Sequence, residues 1–153
     1  MPGKTVGVCS LFVGFVGATL LTAGMATSYW SKDGTGLWKD CYHNGCRAVQ
    51  ATVVISTVFG IVHALILLYH VVQQVGPDTR RIIMSAFTCA LLTVIFGVAS
   101  ITVYAVKLEA DHPSFYGWSF ALALAGIGII FLNIFFIVLE GGNQRAAGAY
   151  SSI

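Results

Sequence analysis

The sequence predicts an all-α membrane protein, a bundle of four transmembrane helices, from its hydropathy and from the placement of its charges. Of the 153 residues, 57% are apolar and 9% are charged, and the mean hydropathy is +0.83. A soluble domain carries about 25% charged residues, so this chain has too few to cover a surface that faces water. No Asp, Glu, Lys or Arg occurs in four long stretches, residues 5–31, 48–77, 82–106 and 113–139.

Each of these stretches is long enough to cross a membrane, because a helix needs about 20 residues to span about 30 Å of hydrocarbon. Backbone in lipid must form its hydrogen bonds internally, as a helix or a closed barrel, and the runs lack the alternation of barrel strands. We therefore expect one domain over residues 1–153. Its spans lie at about 6–29, 49–75, 82–106 and 116–139, with loops 30–48 and 107–115 on one side, and loop 76–81 and tail 140–153 on the other.

The first span has one rival interpretation. Lys4, an apolar run and Gly24-Met25-Ala26 also resemble a cleaved signal peptide. The run is longer than the roughly 7–15 residues of a signal-peptide core, and it ends in Tyr29-Trp30, a pair typical of membrane-interface anchors. We therefore expect a transmembrane helix.

Charge alone does not orient the chain. With both termini inside, the cationic residues divide equally, Lys4, Arg80, Arg81 and Arg145 against Lys32, Lys39, Arg47 and Lys107. The positive-inside rule counts only Lys and Arg, so it gives no preference.

Cys41 and Cys46 give more information about the orientation than the charges do. They lie in a polar loop, and Asn44-Gly45 between them favours a tight hairpin turn, which would bring their Cα atoms within the roughly 7 Å that a disulfide requires. Disulfides persist in oxidising compartments, so a bridge would place this loop outside and both termini in the cytoplasm. The spacing is not the C-x-x-C of thiol oxidoreductases, and no second pair supplies zinc ligands, so we expect no metal.

The other two cysteines fall in predicted spans. Cys89 lies in the interior of the third span, where a thiol behaves as a small apolar residue. Cys9 lies near the cytoplasmic edge of the first span, where palmitoylation is one interpretation and plain packing is the better one.

Small residues recur every four positions in each span. Such ridges let helix backbones approach closely in lipid, so they predict tight packing within the bundle, with association between proteins as the alternative. The four ridges are Ser10, Gly14, Ala18, Thr22 and Ala26; Thr52, Ser56, Gly60 and Ala64; Ser85, Cys89, Thr93 and Gly97; and Gly117, Ala121 and Ala125.

Few polar side chains fall within the spans, and His63, His70 and Asn133 are the most notable. Ionisable residues inside a membrane often mark functional sites. No carboxylate or arginine accompanies these three, which argues against a pump or transporter, and a neutral His63 hydrogen-bonded to a neighbouring helix explains its presence. No nucleophile lies beside a base. We therefore expect no enzyme, no catalytic residue, no cofactor and no nucleic-acid partner, only the lipid bilayer and other membrane proteins.

Six residues of the first loop form a recognisable pattern: Trp30, Gly36, Leu37, Trp38, Cys41 and Cys46. They resemble the W–GLW–C–C signature of the claudin and peripheral myelin protein superfamily. Residues 48–52, AVQAT, are similar to the start of the second span in peripheral myelin and epithelial membrane proteins. Residues 116–120, YGWSF, resemble both those proteins and the gamma subunits of calcium channels and glutamate receptors. In span order and loop position the likeness covers essentially the whole chain.

The resemblance implies a left-handed four-helix bundle with a small extracellular β-hairpin or sheet. A Cys41–Cys46 disulfide would staple adjacent strands, and the Gly36-Leu37-Trp38 turn would pack on the bundle and the membrane interface. Five residues separate Trp30 from Gly36 and four separate the cysteines, far fewer than in claudins. The compact loops are closer to the myelin, epithelial and lens branch, although the glycosylation sequence typical of the myelin branch is absent.

The segment after Glu140 is small and polar, which predicts disorder. Its end, Ser151-Ser152-Ile153, has the carboxylate, the apolar last residue and the hydroxyl two positions earlier that a PDZ domain binds by strand addition. Chance explains a match of three residues about as well. Arg80-Arg81 are interpreted as interface anchors.

The sequence therefore favours a non-enzymatic tetraspan of the plasma membrane that organises membrane contacts or cell junctions. It would act by lateral or opposed association, as a homo-oligomer or with a lateral membrane-protein partner. The alternative is an auxiliary, gamma-like subunit whose partner is the core subunit of a channel or receptor. A claudin-type paracellular barrier or pore is less favoured, because the short loops lack most of the surface that forms one.

Overall fold

The computed structural model describes residues 2–27, 29–30, 37–38, 44–73, 79–108 and 116–150. These residues form four helices: α1 Pro2–Ala26, α2 Asn44–Gln73, α3 Thr79–Leu108 and α4 Trp118–Tyr150. Each helix contains a segment long and apolar enough to cross a membrane: Thr5–Ala26, Cys46–Gln73, Thr79–Val106 and Trp118–Leu139. The chain is therefore a multi-pass membrane protein with four helical spans, which confirms the predicted fold at that level.

Small and polar side chains lie in the centre of the bundle beside buried apolar ones, and many large apolar side chains also lie on its outside. Phe12, Phe15 and Val72 are 70%, 63% and 69% exposed. Seven polar side chains are fully buried: Ser10, Ser56, His63, Thr93, Ser100, Ser119 and Asn133. The exposed apolar side chains differ from the surface of a soluble domain, because lipid solvates Phe and Val. The buried polar groups are consistent with membrane helices that associate through close packing and interhelical hydrogen bonds.

The bundle consists of two tightly packed helix pairs, α1 with α4 and α2 with α3. Glycine allows the backbones of the first pair to approach closely. A methyl group on Gly24 would lie 2.6 Å from the backbone nitrogen of Ala123, and one on Gly126 would lie 2.6 Å from that of Leu21. Neither position accepts a side chain unless a helix moves.

The α2–α3 pair is joined by hydroxyl groups and an aromatic contact. Ser56 Oγ donates to the carbonyl of Thr93 at 2.8 Å, and Ser100 Oγ donates to Thr52 Oγ1 at 2.7 Å. The rings of Phe59 and Phe96 stack with centroids 6.3 Å apart. These contacts lie within residues 52–59 of α2 and 93–100 of α3.

The predicted small-residue ridge of α4 does not face the bundle. Ala121 and Ala125 are exposed, so the expectation of internal packing is wrong for these two. A step of four residues overshoots one helical turn by about 40°, and a strict four-residue row therefore drifts around the helix. The buried row instead alternates steps of three and four, the spacing that keeps one side of a helix against its neighbour: Ala123, Gly126, Ile130, Asn133 and Ile137.

The ridges of the other three helices lie mostly inside the bundle, although Ala26 and Ser85 are exposed. Gly14, Ala18, Gly60, Ala64 and Gly97 are all buried. Gly97 is the tightest, since a methyl group there would lie 2.6 Å from Ile127 Cδ1 on α4.

The predicted turn at Asn44-Gly45 is wrong, because these two residues begin α2. Asn is favoured at helix N-termini as well as in turns, so the dipeptide alone does not distinguish the two. The described residues contain no strand. Residues 31–36 and 39–43, which would form most of the β-hairpin, lie outside them, and the hairpin therefore stays a prediction.

The expected disorder after Glu140 is also wrong as far as the structure extends, because α4 continues to Tyr150. Ala146, Ala147 and Ala149 lie in this stretch, and alanine has the highest helix propensity. Residues 151–153, which contain the PDZ-type ending with Ser151 and Ile153, lie outside the described residues.

Candidate functional site

A buried aromatic cluster lies at one end of the bundle, where α1 ends and α4 begins. We call it the Trp30 cluster and define it as Trp30, Leu37, Tyr104 and Phe120. Trp30 is 0% exposed and Leu37 is 1% exposed. The Trp30 ring meets Tyr104 on α3 and Phe120 on α4 edge-on, with centroids 5.2 and 5.9 Å apart. The residue that begins the sequence signature therefore lies in the core.

The two signature tryptophans cap the C-terminal end of α1. The last carbonyls of a helix have no partner within it, and an unpaired carbonyl is costly beside lipid. Trp30 Nε1 donates to the carbonyl of Gly24 at 2.9 Å, and Trp38 Nε1 donates to that of Met25 at 2.9 Å. The indole groups thus satisfy backbone acceptors while their rings cover the helix end.

The start of α4 holds the segment that follows α1. The backbone N–H of Gly117 donates to the carbonyl of Trp30 at 2.8 Å, and that of Ser119 donates to Tyr29 at 3.2 Å. A methyl group on Gly117 would overlap the carbonyl of Tyr29, so only glycine permits this approach. Residues 116–120 and the first-loop signature, separate in sequence, therefore form one site.

A second buried site lies deeper in the bundle and is polar. Ser10 Oγ donates to Asn133 Oδ1 at 2.9 Å. Asn133 Nδ2 is 3.1 Å from His63 Nε2, and His63 Nδ1 is 2.9 Å from the carbonyl of Ala86. We call Ser10, His63, Asn133 and the Ala86 carbonyl the polar cluster; it takes one group from each of the four helices.

Every hydrogen bond of the polar cluster can be assigned one donor and one acceptor without conflict. A carbonyl only accepts, so His63 Nδ1 carries the proton and donates to Ala86. His63 Nε2 then accepts from the Asn133 amide, whose oxygen accepts from Ser10. The expectation of a neutral His63 bonded to neighbouring helices is confirmed for its hydrogen bonds. His70 lies about two turns further along α2 and is half-buried.

Gly14 provides the space for the polar cluster. A methyl group there would lie 2.8 Å from Asn133 Nδ2, 2.9 Å from Leu67 Cδ1 and 3.2 Å from His63 Nε2. The small-residue pattern predicted close packing at Gly14, and the structure identifies the neighbours that require it.

An apolar groove of about 710 Å³ runs between α1 and α2 on the outside of the bundle. Two threonines, Thr19 and Thr22, line its wall. Their hydroxyls donate to the α1 backbone at 2.8 and 2.7 Å, so neither hydroxyl proton is directed at a molecule in the groove. The lining comprises Val8, Leu11, Phe12, Phe15, Ala18, Thr19, Thr22, Ala23, Ala26, Ile61, Ala64, Leu65 and Leu68.

The outer face of α4 carries a ridge of small residues, Ala121, Ala125 and Gly128, which we call the α4 ridge. All three are exposed, and a methyl group on Gly128 would have nothing within 4 Å. Further along the same helix the exposed residues are large, with Phe131 48% and Phe135 56% exposed. The α4 ridge is therefore a row of small side chains on a helix whose other exposed side chains are large.

The cysteines fall into two groups. Cys9 is exposed and Cys89 is half-buried, and both are free thiols. Cys46 is 1% exposed and is not one of the free thiols. Its predicted partner Cys41 lies outside the described residues, as does Gly36, so the Cys41–Cys46 pairing stays a prediction. Within the described ranges no three His, Cys, Asp or Glu side chains come together as a metal site.

Sequence reasoning missed several residues of these two sites. Gln50 Nε2 donates to the carbonyl of Leu37 at 2.6 Å, and Tyr104 contacts Trp30; neither stands out in an apolar span. Three further glycines bring α1 and α4 together: Gly17, Gly24 and Gly126. Two of them could have been found from the sequence, because Gly17 and Gly24 are one heptad apart and so lie on the same face of α1.

Comparison with protein-family models and with curated proteins finds no match to this chain. The resemblance to the claudin and peripheral myelin protein superfamily therefore depends on the residues that carry it. The structure places Trp30 of the first-loop signature in contact with Gly117 and Phe120 of the 116–120 segment.

Proposed function

We propose that this chain is a non-enzymatic tetraspan, similar to the claudin and peripheral myelin protein superfamily, that organises membrane contacts or cell junctions by association with other membrane proteins. In this proposal it resides in the plasma membrane, with the first loop outside and both termini in the cytoplasm. Association is lateral, within one membrane, or opposed, between two membranes.

The observation that supports lateral association is the exposure of the α4 ridge. Helices in lipid associate by van der Waals contact, and small residues let two backbones approach closely. Ala121 and Ala125 are exposed, and among the described residues a methyl group on Gly128 would meet nothing within 4 Å. A helix from another protein would fill that space.

Intermolecular crosslinking tests this proposal. Cys9 and Cys89 are first replaced by Ser, and Gly128→Cys or Ala125→Cys is added to the full chain in cell membranes. A short membrane-permeant bismaleimide should then link either variant to a neighbour. Ile95→Cys is the matched control, since Ile95 is equally lipid-facing on α3 at 53% exposure. Equal yields from α3 and α4, at the level of random collision, would contradict lateral association through this ridge.

Imaging tests the cellular part of the proposal. The tagged chain, expressed in one of two adjoining cell populations, is expected to concentrate where cells touch. A uniform distribution over the cell surface, together with a monomer in mild detergent, would eliminate the organising role.

An auxiliary subunit of a channel or receptor is the second candidate. It is favoured by the position of the α4 ridge, because the helix that carries it begins with the residues that resemble the gamma subunits, 116–120. The partner in the crosslinking experiment separates the two candidates. A product of twice the chain's mass indicates self-association, whereas a stoichiometric pore-forming protein that co-purifies indicates the auxiliary role.

A further inference from the structure

The groove between α1 and α2 extends along most of one span. Its lining on α1 runs from Val8 to Ala26, and eighteen steps of about 1.5 Å each give it a length of about 27 Å. The hydrocarbon core of a bilayer is about 30 Å thick. In a membrane, the open side of the groove therefore faces lipid acyl chains and not water.

The groove has a floor of small residues. Ala18 and Ala64 line it and are 6% and 9% exposed. Deeper in the bundle α1 and α2 are in contact, because a methyl group on Gly60 would lie 3.5 Å from Leu21 Cδ2. The two alanines are therefore backed by packed side chains, and an occupant enters from the lipid.

The described lining directs no hydroxyl proton at an occupant. Thr19 Oγ1 donates to the carbonyl of Phe15, and Thr22 Oγ1 donates to that of Ala18. The remaining lining residues are Ala, Val, Leu, Ile or Phe. Lipid supplies no partner to a polar group either, so polar groups along this length of an occupant would lack hydrogen bonds. The lining therefore suits an occupant that is apolar along the groove.

The rim of the groove favours a hydrocarbon chain over a helix. Phe12, Phe15 and Leu65 lie at the rim and are 70%, 63% and 58% exposed. Neighbouring helices pack with axes about 8–10 Å apart, so a third helix about 10–12 Å across would rest on these large side chains. Helices that associate in lipid meet at small residues, and here the small residues lie at the floor. A hydrocarbon chain is one carbon wide and reaches that floor.

We propose that the groove binds one acyl chain of a membrane phospholipid, which lies along α1 with its methylene groups against Ala18 and Ala64. The chain supplies the dispersion contacts that an empty groove would forfeit. Lipid tails are as apolar as the lining, so retention depends on the fit of the chain between two helices and not on transfer out of water. This inference depends neither on a protein partner nor on the proposed function.

Photolabelling in a bilayer tests where the chain lies. The full chain is placed in nanodiscs with a phosphatidylcholine that carries a diazirine in one acyl chain, and the labelled residues are identified by peptide mass spectrometry. Ile95 and Val98 on α3 report ordinary contact with lipid, since they are 53% and 52% exposed. A bound chain should label Ala18 and Ala64 at least as strongly as these two. Labelling of the alanines only in proportion to their small exposed area would refute the proposal.

Ala64→Leu fills the floor of the groove. It should abolish the labelling of Ala18, while that of Ile95 stays constant. Ala51→Leu is the matched control, because it makes the same change on the same helix at an exposed position outside the lining, and it should change neither. If Ala64→Leu does not fold, Thr19→Leu narrows the groove from α1 and decides. Unchanged labelling of Ala18 in the folded variant overturns the site.

Native mass spectrometry of protein moved from unlabelled nanodiscs into mild detergent measures retention. The wild type should carry one phospholipid, which Ala64→Leu should lose and Ala51→Leu should keep. A wild type without lipid, or equal retention in all three proteins, would mean that the groove holds a chain no longer than the rest of the surface does, and would overturn binding. An acyl chain attached to Cys9 as a thioester, or a second protein that crosslinks to the floor, would contradict a phospholipid as the occupant.

Discussion

The Trp30 cluster and the polar cluster both join four helices that would otherwise pack as two pairs, but they do so by different means. The Trp30 cluster uses large aromatic area and indole caps on backbone carbonyls. The polar cluster uses three hydrogen bonds among small side chains and one carbonyl. The chemistry of each follows from where it lies along the helices.

At the end of α1 the backbone carbonyls have lost their helical partners, so a donor that brings its own apolar cover suits that position, and Trp30 and Trp38 are such donors. In the middle of a span every backbone group is bonded within the helix, and lipid offers no partner to a polar side chain. Asn133 must therefore bond to other helices, and it does so with both ends of its amide.

The largest expected effect is at the centre of the Trp30 cluster. Trp30→Ala should lower the free energy of unfolding by about 3–5 kcal/mol, because it leaves a cavity between Tyr104 and Phe120 and removes the donor to Gly24. Unfolding by SDS in mixed micelles measures it. Trp118→Ala is the control, since Trp118 is 52% exposed and its described ring contact is the stack on Tyr29. The loss from Trp118→Ala should stay below about 1.5 kcal/mol. Equal losses would show that burial of Trp30 is not what stabilises this end.

The next effect is steric. Gly117→Ala should cost about 1–3 kcal/mol or more, because its methyl group overlaps a backbone carbonyl, which cannot move without shifting the start of α4. Gly128→Ala makes the same chemical change within α4, at a position with open space around it. It should be neutral, or stabilise by up to about 1 kcal/mol through helix propensity. If both substitutions cost the same, the close contact at Gly117 does not carry the effect.

A smaller effect is expected in the polar cluster, and it should be non-additive. Asn133→Leu or His63→Leu alone leaves a buried polar group unpaired and should cost about 1–3 kcal/mol. The double variant removes both groups, so it should cost less than the sum. The coupling should be about 0.6 kcal/mol and at most about 1.7 kcal/mol, the range for hydrogen bonds between membrane helices. Strict additivity in the same SDS titration would mean that the two side chains do not depend on each other.

The two clusters also differ in how visible they are in the sequence. Four spans were predictable, because charge-free stretches of sufficient length have few alternatives. The Trp30 cluster was partly predictable, since Trp30, Leu37, Trp38 and residues 116–120 carry the resemblance. The predicted topology placed the end of α1 and the start of α4 on the same side of the membrane. What the pattern could not supply was the contact between those segments, which depends on α1 packing beside α4.

The polar cluster was visible only as separate residues. His63 and Asn133 stood out as polar within apolar spans, but nothing in a sequence of four helices tells which faces meet. The same limit explains the error at Ala121 and Ala125, where the four-residue pattern was real and the assumed direction was wrong. The neighbouring helices determine which face of a helix packs inward. A sequence pattern therefore predicts the spacing of packing residues better than it predicts which residues they contact.

The smallest expected effect is the difference in stability between losing a hydrogen bond that joins two helices and losing one within a single helix. Ser56 Oγ donates across to Thr93 on α3, whereas Thr19 Oγ1 donates to Phe15 on its own helix. Ser56→Ala should cost about 0.6 kcal/mol, since it leaves a polar contact between helices unmade. Thr19→Ala should stay within about 0.5 kcal/mol of the wild type, as for other exposed positions, because the Phe15 carbonyl keeps its place in the helical ladder. The comparison needs repeated SDS titrations of both variants, because the expected difference is close to the precision of one. A larger loss from Thr19→Ala than from Ser56→Ala would reverse the order, and would imply that the wall of the groove is stabilised by something other than its own helix.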